Sequence, residues 1–299
     1  QWSNSATTED IHNVSGGTYS VTISDANGCT FTQSYTVNEP TPITSSIVGT
    51  DVTCHGAANG AADLTVSGGS QPYTYFWSNF AATEDLTNIG GGTYFVVIND
   101  ANGCNHRDSV HINEPPALVL STVVTNVLCN GSLTGSIDLT VTGGVPNYSY
   151  TWSNSSTTED LTNVAAGTYT VLVTDNNGCS ATASATISQP TAMVLNASTT
   201  DVTCAGANNG SVDITIGGGV FPYNFQWSNS ATTEDLHNVA GGTYTVTITD
   251  ANGCTISQSY VISEPQPIVS SIVGTDVTCH GAANGAADLT VSGGTPSYA

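Results

Sequence analysis

The 299-residue sequence contains no lysine and one arginine, Arg107, set against 23 acidic side chains. A formal charge of −22 with almost nothing of the opposite sign excludes a surface that grips phosphate backbones or anionic lipid faces, so no nucleic acid partner and no membrane insertion are expected. Without lysine, Lys–Asn isopeptide cross-links cannot form, and trypsin has Arg107 as its only target. No apolar run approaches the roughly 18 residues of a membrane-spanning helix, and helical periodicity is absent. Catalytic groupings are missing too: no nucleophile, base and orienting residue recur together, and one arginine cannot furnish phosphate sites in several repeats. The expectation is that the protein is not an enzyme and takes no cofactor. Gln1-Trp2 already stands inside a repeated motif, so a secretion signal is expected elsewhere than in these residues.

What is present is repetition. Trp2, Trp77, Trp152 and Trp227 form one series, Cys29, Cys104, Cys179 and Cys254 a second, and Cys54, Cys129, Cys204 and Cys279 a third, each at intervals of 75 residues without an insertion. A period of 75 is longer than the roughly 20–50 residues of a solenoid rung and suits a small autonomous domain. The expected division is a partial repeat at 1–40, whole repeats at 41–115, 116–190 and 191–265, and a partial repeat at 266–299. Residues 1–65 match 226–290 more closely than either matches the copies between, which suggests a longer unit of three repeats. Both ends of the chain fall inside the same strand of the period, and the expectation is a sample of a longer repeating polymer.

Within a period the pattern reads as strands. Tyr94, Val96 and Ile98 alternate onto one face of "GTYFVVIND", and Tyr73, Tyr75 and Trp77 onto one face of "YTYFW". "DANG" reads as a two-residue hairpin turn in which Asn and Gly take positive φ, "SGGSQP" breaks the chain between strands, and about seven short strands fit the period. Tyr94, Tyr169 and Tyr244 follow a Gly-containing bend as the tyrosine of a tyrosine corner does, and Trp77, Trp152 and Trp227 take the inward place on the third strand. The fold class is all-β, a tandem array of small Ig-like β-sandwiches with those six residues as core signature.

The stretch 54–104 combines C-x-G-x-x-N-G, S-G-G-x-x-P-Y, W-S-N and D-x-N-G-C, and in this it resembles the SprB-type repeat of Bacteroidota cell-surface adhesins. The third copy departs with Gly131-Ser132-Leu133-Thr134-Gly135 where Asn-Gly stands in the others. The resemblance implies an extracellular or cell-surface protein built in arrays linked to adhesion and gliding, and no catalytic residues.

Regularly placed cysteines in such a chain imply an oxidising compartment. Repeat symmetry leaves mainly two pairings: an offset of 50 within a repeat, or of 25 between neighbours such as Cys29 and Cys54. Loop entropy favours them by roughly 4 and 3.5 kcal/mol and does not choose. In an end-to-end array the offset of 25 separates the sulfurs by tens of ångströms, so the pairs expected are Cys54–Cys104, Cys129–Cys179 and Cys204–Cys254, with Cys29 and Cys279 left to partners outside these residues. This requires the first strand to be short or displaced, because a standard sandwich puts its end and the last hairpin at opposite poles.

Asp25, Asp100, Asp175 and Asp250 open the hairpin turns, and a structural Ca²⁺ there is weighed against a simple turn cap. The D-x-[DN]-x-[DN]-G loop pattern is absent, which favours the cap. His55 and His280 follow a cysteine, but Asn130 and Ala205 stand at the matching positions, so no repeat-wide metal site is read. Asp108-Ser109-Val110 resembles the Bacteroidota O-glycosylation motif, with Ser109 as acceptor. In the second copy alone, alternation turns Phe76, Phe95 and Val97 outward beside Arg107 and His111, a candidate lateral contact with a neighbouring chain in a fibre.

Short joints carrying proline, "NEPTP", "NEPPA", "SQPTA" and "SEPQP", stiffen a tether. At about 3.3 Å per strand residue each repeat adds on the order of 30–40 Å. The function expected is the semi-rigid shaft of an extracellular adhesin or filament whose partners are further copies of the repeat. The competing reading is a repeated glycan- or protein-binding module; against it, aromatic residues recur inward while outward positions drift among Thr, Ser, Asn and Gln.

Overall fold

A computed structural model describes residues 1–299. It is all-β. The first partial repeat supplies β1 (Gly17–Ser24) and β2 (Thr30–Val37). The second repeat supplies β3 (Thr44–Thr50), β4 (Gly60–Ser67), β5 (Thr74–Trp77), β6 (Leu86–Ile89), β7 (Gly92–Asn99) and β8 (Asn105–Ile112). The third supplies β9 (Val119–Thr125), β10 (Gly135–Thr142), β11 (Ser149–Trp152), β12 (Leu161–Val164), β13 (Gly167–Thr174) and β14 (Ser180–Ile187). The fourth supplies β15 (Val194–Thr200), β16 (Gly210–Gly217), β17 (Asn224–Trp227), β18 (Leu236–Val239), β19 (Gly242–Thr249) and β20 (Thr255–Ile262), and the last partial repeat β21 (Val269–Thr275) and β22 (Ala286–Ser292). Close contacts gather these residues into two units. The first holds Gln1–Val119, Val141–Tyr148 and Val173–Ala181, and the second Leu120–Thr140, Ser149–Leu172 and Thr182–Ala299.

Each whole repeat has two antiparallel three-stranded sheets. In the second repeat the orders are β3-β4-β6 and β5-β7-β8, and the orders in the third and fourth correspond. This is an Ig-like arrangement with one strand fewer than the seven expected. The missing strand falls in residues 78–85, which instead fold over the tryptophan: Trp77 N donates to Ala81 O at 3.0 Å, its indole Nε1 donates to Thr83 O at 3.0 Å, and Asp85 Oδ1 accepts from Leu64 N at 2.9 Å. Those groups are spent on covering the ring and have no ladder to join.

Alternation fixes which face is buried. β7 pairs with β8 without a bulge from Gly92↔Ile112 to Asn99↔Asn105, so Val96 and Ile98 face inward while Phe95 and Val97 face out. Val52, Ala62, Leu64, Trp77, Leu86, Val96, Ile98 and Ile112 close the core of the second repeat; Val202, Val212, Ile214, Trp227, Leu236, Val246, Ile248 and Ile262 are their counterparts in the fourth. The tyrosine corner is present in every copy. Tyr94 donates to Gly90 O at 3.1 Å, Tyr169 to Ala165 O at 3.0 Å, Tyr244 to Ala240 O at 3.0 Å and Tyr19 to Ser15 O at 2.9 Å, each four residues back.

The pairing directions also set the poles of a repeat. Strand β3 leads to the loop 51–59 at one pole, and β7 runs back to the turn 100–104 at the other, beside the entering linker. The loop cysteine and the turn cysteine of one repeat therefore lie at opposite ends of it.

Candidate functional site: the junction between repeats

Disulfides join Cys54 to Cys179 and Cys129 to Cys254, each across 125 residues with Cα atoms 5.6 Å apart. The expected pairs Cys54–Cys104, Cys129–Cys179 and Cys204–Cys254 are overturned. Each bond runs from the loop of one repeat to the turn of the next, and Cys29, Cys104, Cys204 and Cys279 are free and exposed. The reason is the position of the poles: the first strand is neither short nor displaced, so partners within one repeat are a sandwich length apart. The loop pole of one repeat meets the turn pole of its successor. The Cys54–Cys179 junction lies wholly within the first unit and Cys129–Cys254 wholly within the second.

The loop side is held by its own repeat. Asn59 Oδ1 accepts from Thr53 N at 3.1 Å, Asn59 Nδ2 donates to Thr53 Oγ1 at 2.7 Å, and Ala57 N donates to Cys54 O at 3.0 Å. Gly56 N donates to Glu114 Oε1, which also faces His55 Nδ1 at 3.3 Å. Gly131 N finds Gln189 Oε1 at 2.8 Å, and Gly206 N finds Glu264 Oε1 at 2.5 Å. The residue before the linker proline thus clamps the loop that carries the cysteine. In the third copy, where Thr134 replaces the asparagine, Ser132 Oγ and Thr134 Oγ1 bond each other at 3.1 Å instead.

The turn side is organised by aspartate. The connection is five residues, 100–104, not a two-residue turn, and only Gly103 has positive φ, at 82°. Asp100 Oδ1 accepts from Asn102 N at 2.9 Å and Cys104 N at 2.8 Å, and Oδ2 from Ser70 N at 3.0 Å. Asp175 and Asp250 repeat this on Val145 and Val220. Burial pushes these carboxyls up, but the backbone N–H groups outweigh it and hold all three below the ordinary 3.8. The aspartates are turn caps, and their oxygens are occupied. Across the junction Asn177 Nδ2 donates to Thr53 O at 3.0 Å, and Asn252 Nδ2 to Leu128 O at 2.8 Å, so each bond is accompanied by a side-chain tie.

The linker is pinned from below. At Gly143, φ is 74° and a Cβ would sit 1.8 Å from Ala117 O; Gly68 and Gly218 bear on Pro42 and Ala192 in the same way, at 2.0 Å. The doubled glycine of the S-G-G motif lets the linker backbone lie directly on the turn pole. The functional residues that spacing alone did not single out are Glu114, Gln189, Glu264 and these glycines. Their signal was present in the recurring [E/Q]-P and S-G-G motifs, which read as a stiff joint and a strand break.

Phe76, Val97 and Arg107 lie in one cross-strand row on the outer face, with Phe95 one row away and Phe80 edge-on to Phe76 at 6.4 Å. His111 is exposed opposite Thr93, one row beyond Phe95, and its Nδ1 bonds Thr93 Oγ1 at 2.9 Å. Register gives Thr182 and Thr186 as the third-repeat counterparts of Arg107 and His111. Ser109 is exposed on the same face opposite Phe95, while Asp108 Oδ2 accepts from Ser45 Oγ at 2.6 Å. The core-signature residues Trp77, Trp152 and Trp227 are buried.

The family described as SprB repeat matches the chain four times, at residues 46–82, 121–157, 196–232 and 271–299. No protein of curated function matches it. Among solved structures, the N-terminal eight Ig domains of Down Syndrome Cell Adhesion Molecule (DSCAM) isoform 1.30.30 align over 93% of this chain and 55% of their own length, at 10% identity and a TM-score of 0.32. Sidekick-1 immunoglobulin domains 1–5 align over 83% of this chain and 66% of theirs, at 10% identity and a TM-score of 0.33. The chain thus spans between about half and two thirds of these structures.

Proposed function

We propose that this chain is a load-bearing segment in the shaft of an extracellular, cell-surface adhesin or filament of the Bacteroidota type. Segments 1–40, 41–115, 116–190, 191–265 and 266–299 act as its successive beads. The observation that carries the reading is that the covalent bonds are placed between repeats, where a tether bends, and not inside them. Disulfides fit an oxidising, extracellular setting. Grooves of about 400 Å³ and 390 Å³ flank the two junctions, but the first is lined by His55 and Leu118 and the second by Asn130 and Met193. A receptor site reused in each repeat would keep one lining, which favours a spacer over a repeated binding module. Phe76, Phe95, Val97, Arg107 and His111 would then give the second repeat a lateral contact with a neighbouring chain, and Ser109 beside them would be the glycan acceptor.

The test is single-particle imaging of the chain before and after reduction. A narrow spread of angles between neighbouring repeats, widening when the disulfides are reduced, is the expected result. Freely jointed repeats in the oxidised chain would overturn the shaft reading.

A further inference from the structure

Asparagine followed by glycine is the pair most prone to lose its side-chain amide, because a backbone nitrogen with no side chain beside it closes readily on the asparagine Cγ. The pair recurs along this chain, and the fold treats its copies differently. Within a repeat it is locked. Asn59 and Asn209 bind Thr53 and Thr203 through both ends of their amides, at 2.7–3.1 Å, and Gly60 and Gly210 are buried in ladders opposite Ile89 and Val239. Asn130 donates to Pro190 O of its own repeat at 2.9 Å, and Gly131 N is taken by Gln189.

At the two disulfide junctions the lock belongs to the neighbour. Asn177 and Asn252 donate their amides across the junction, to Thr53 O and Leu128 O of the preceding repeat. In the second repeat Asn102 finds Ser70 Oγ at 2.9 Å within its own fold, but Val145 and Val220 stand at the matching positions and offer no side-chain acceptor. Gly178 and Gly253 are exposed, at φ of 83° and 82°, with open space where a side chain would stand. Their N–H groups donate to Asp175 O and Asp250 O at 3.1 and 3.0 Å. The tie that keeps each asparagine side chain off the glycine nitrogen therefore comes from the adjoining repeat, and an opened junction leaves only the bond of an exposed turn.

We propose that Asn177-Gly178 and Asn252-Gly253 are modification sites, kept as amides by the closed junction and converted to aspartate and isoaspartate once it opens. Gly178 N loses its proton to hydroxide and bonds to Asn177 Cγ; the Cγ–Nδ2 bond breaks, and ammonia leaves with a proton taken from water. Water then opens the succinimide ring at either carbonyl. Both products carry a carboxylate where a donor to Thr53 O is needed. Isoaspartate also adds a backbone atom two residues before Cys179, whose N–H on Asp175 sets the position of the sulfur. Closing the junction does not restore the amide, so the chain keeps a record of each opening.

The test opens one junction at a time. The C54S/C179S variant frees Asn177 and leaves Cys129–Cys254 intact, and peptide mass spectrometry after incubation in mildly alkaline buffer reads amide loss at each asparagine. Asn177 should deamidate about tenfold faster than in the parent chain, the upper end of what one lost hydrogen bond gives, while Asn252, Asn59 and Asn209 keep their rates. C129S/C254S should exchange the roles of Asn177 and Asn252. An unchanged rate at Asn177, or a matching rise at Asn59 and Asn209, overturns the inference. The record is read on the wild-type chain, reduced, aged and reoxidised with oxidised glutathione. Molecules modified at Asn177 should recover less Cys54–Cys179 than unmodified ones, and equal recovery overturns the record.

Discussion

Asp100, Asp175 and Asp250 show how one side chain positions a whole junction. Each places its turn cysteine by accepting that cysteine's own N–H, and each is held ionised by the donors around it. Because the folded carboxyl titrates below the ordinary 3.8, the unfolded chain binds protons first as pH falls, so this stabilisation is present above about pH 4 and is lost on acidification through the folded value. The melting temperature should fall steeply there, and Asp250→Asn should flatten that fall while lowering stability at neutral pH; a pH series of thermal melts checks both. Gly143→Ala forces a Cβ against Ala117 O at a φ of 74°, and the melting transition should drop by about 1–3 kcal/mol or more. Trp152→Ala empties a buried indole site and should cost about 3–5 kcal/mol by denaturant titration. The tryptophans, tyrosine corners and inward alternation were all legible in the sequence, because each depends on local spacing. The clamps by Glu114 and Asn59 were not, because an exposed carboxylate or amide declares its partner only once the loop has been folded beside it.

The loops and turns carry the lesson about legibility further. Strand alternation and the 75-residue period suffice for the sandwich, and even the opposition of loop pole and turn pole can be read from the strand order. What spacing alone hides is that opposition within a repeat means apposition between successive ones, which turns an offset of 50 into one of 125. Non-reducing peptide mapping should recover Cys54–Cys179 and Cys129–Cys254, and a Cys54–Cys104 peptide would refute the junction. On the outer face, replacing Phe76 and Phe95 by Thr, as the third repeat has at Thr151 and Thr170, should leave the melting temperature within about 0.5 kcal/mol of stability while weakening lateral bundling in light scattering.

At the scale of the chain the two disulfide loops overlap, since residues 129–179 belong to both. In the chain-entropy account each closure of this length restricts the unfolded state by about 5 kcal/mol. Their overlap has a mechanical meaning. If the third repeat were torn open under tension, the taut covalent path would enter at Cys179, travel backwards along the sequence to Cys129 and leave through Cys254, 50 residues instead of the 75 of the period. At about 3.6 Å per residue that limits the yield of an opened repeat to on the order of 180 Å where an unbonded one would give about 270 Å. Force spectroscopy should therefore show the fully stretched chain nearly doubling in length when a reductant is added. Within the third repeat the load also runs against the direction of the polypeptide, so that repeat, once opened, would be hauled tail first, and the cable would lengthen least where its own sequence is pulled the wrong way.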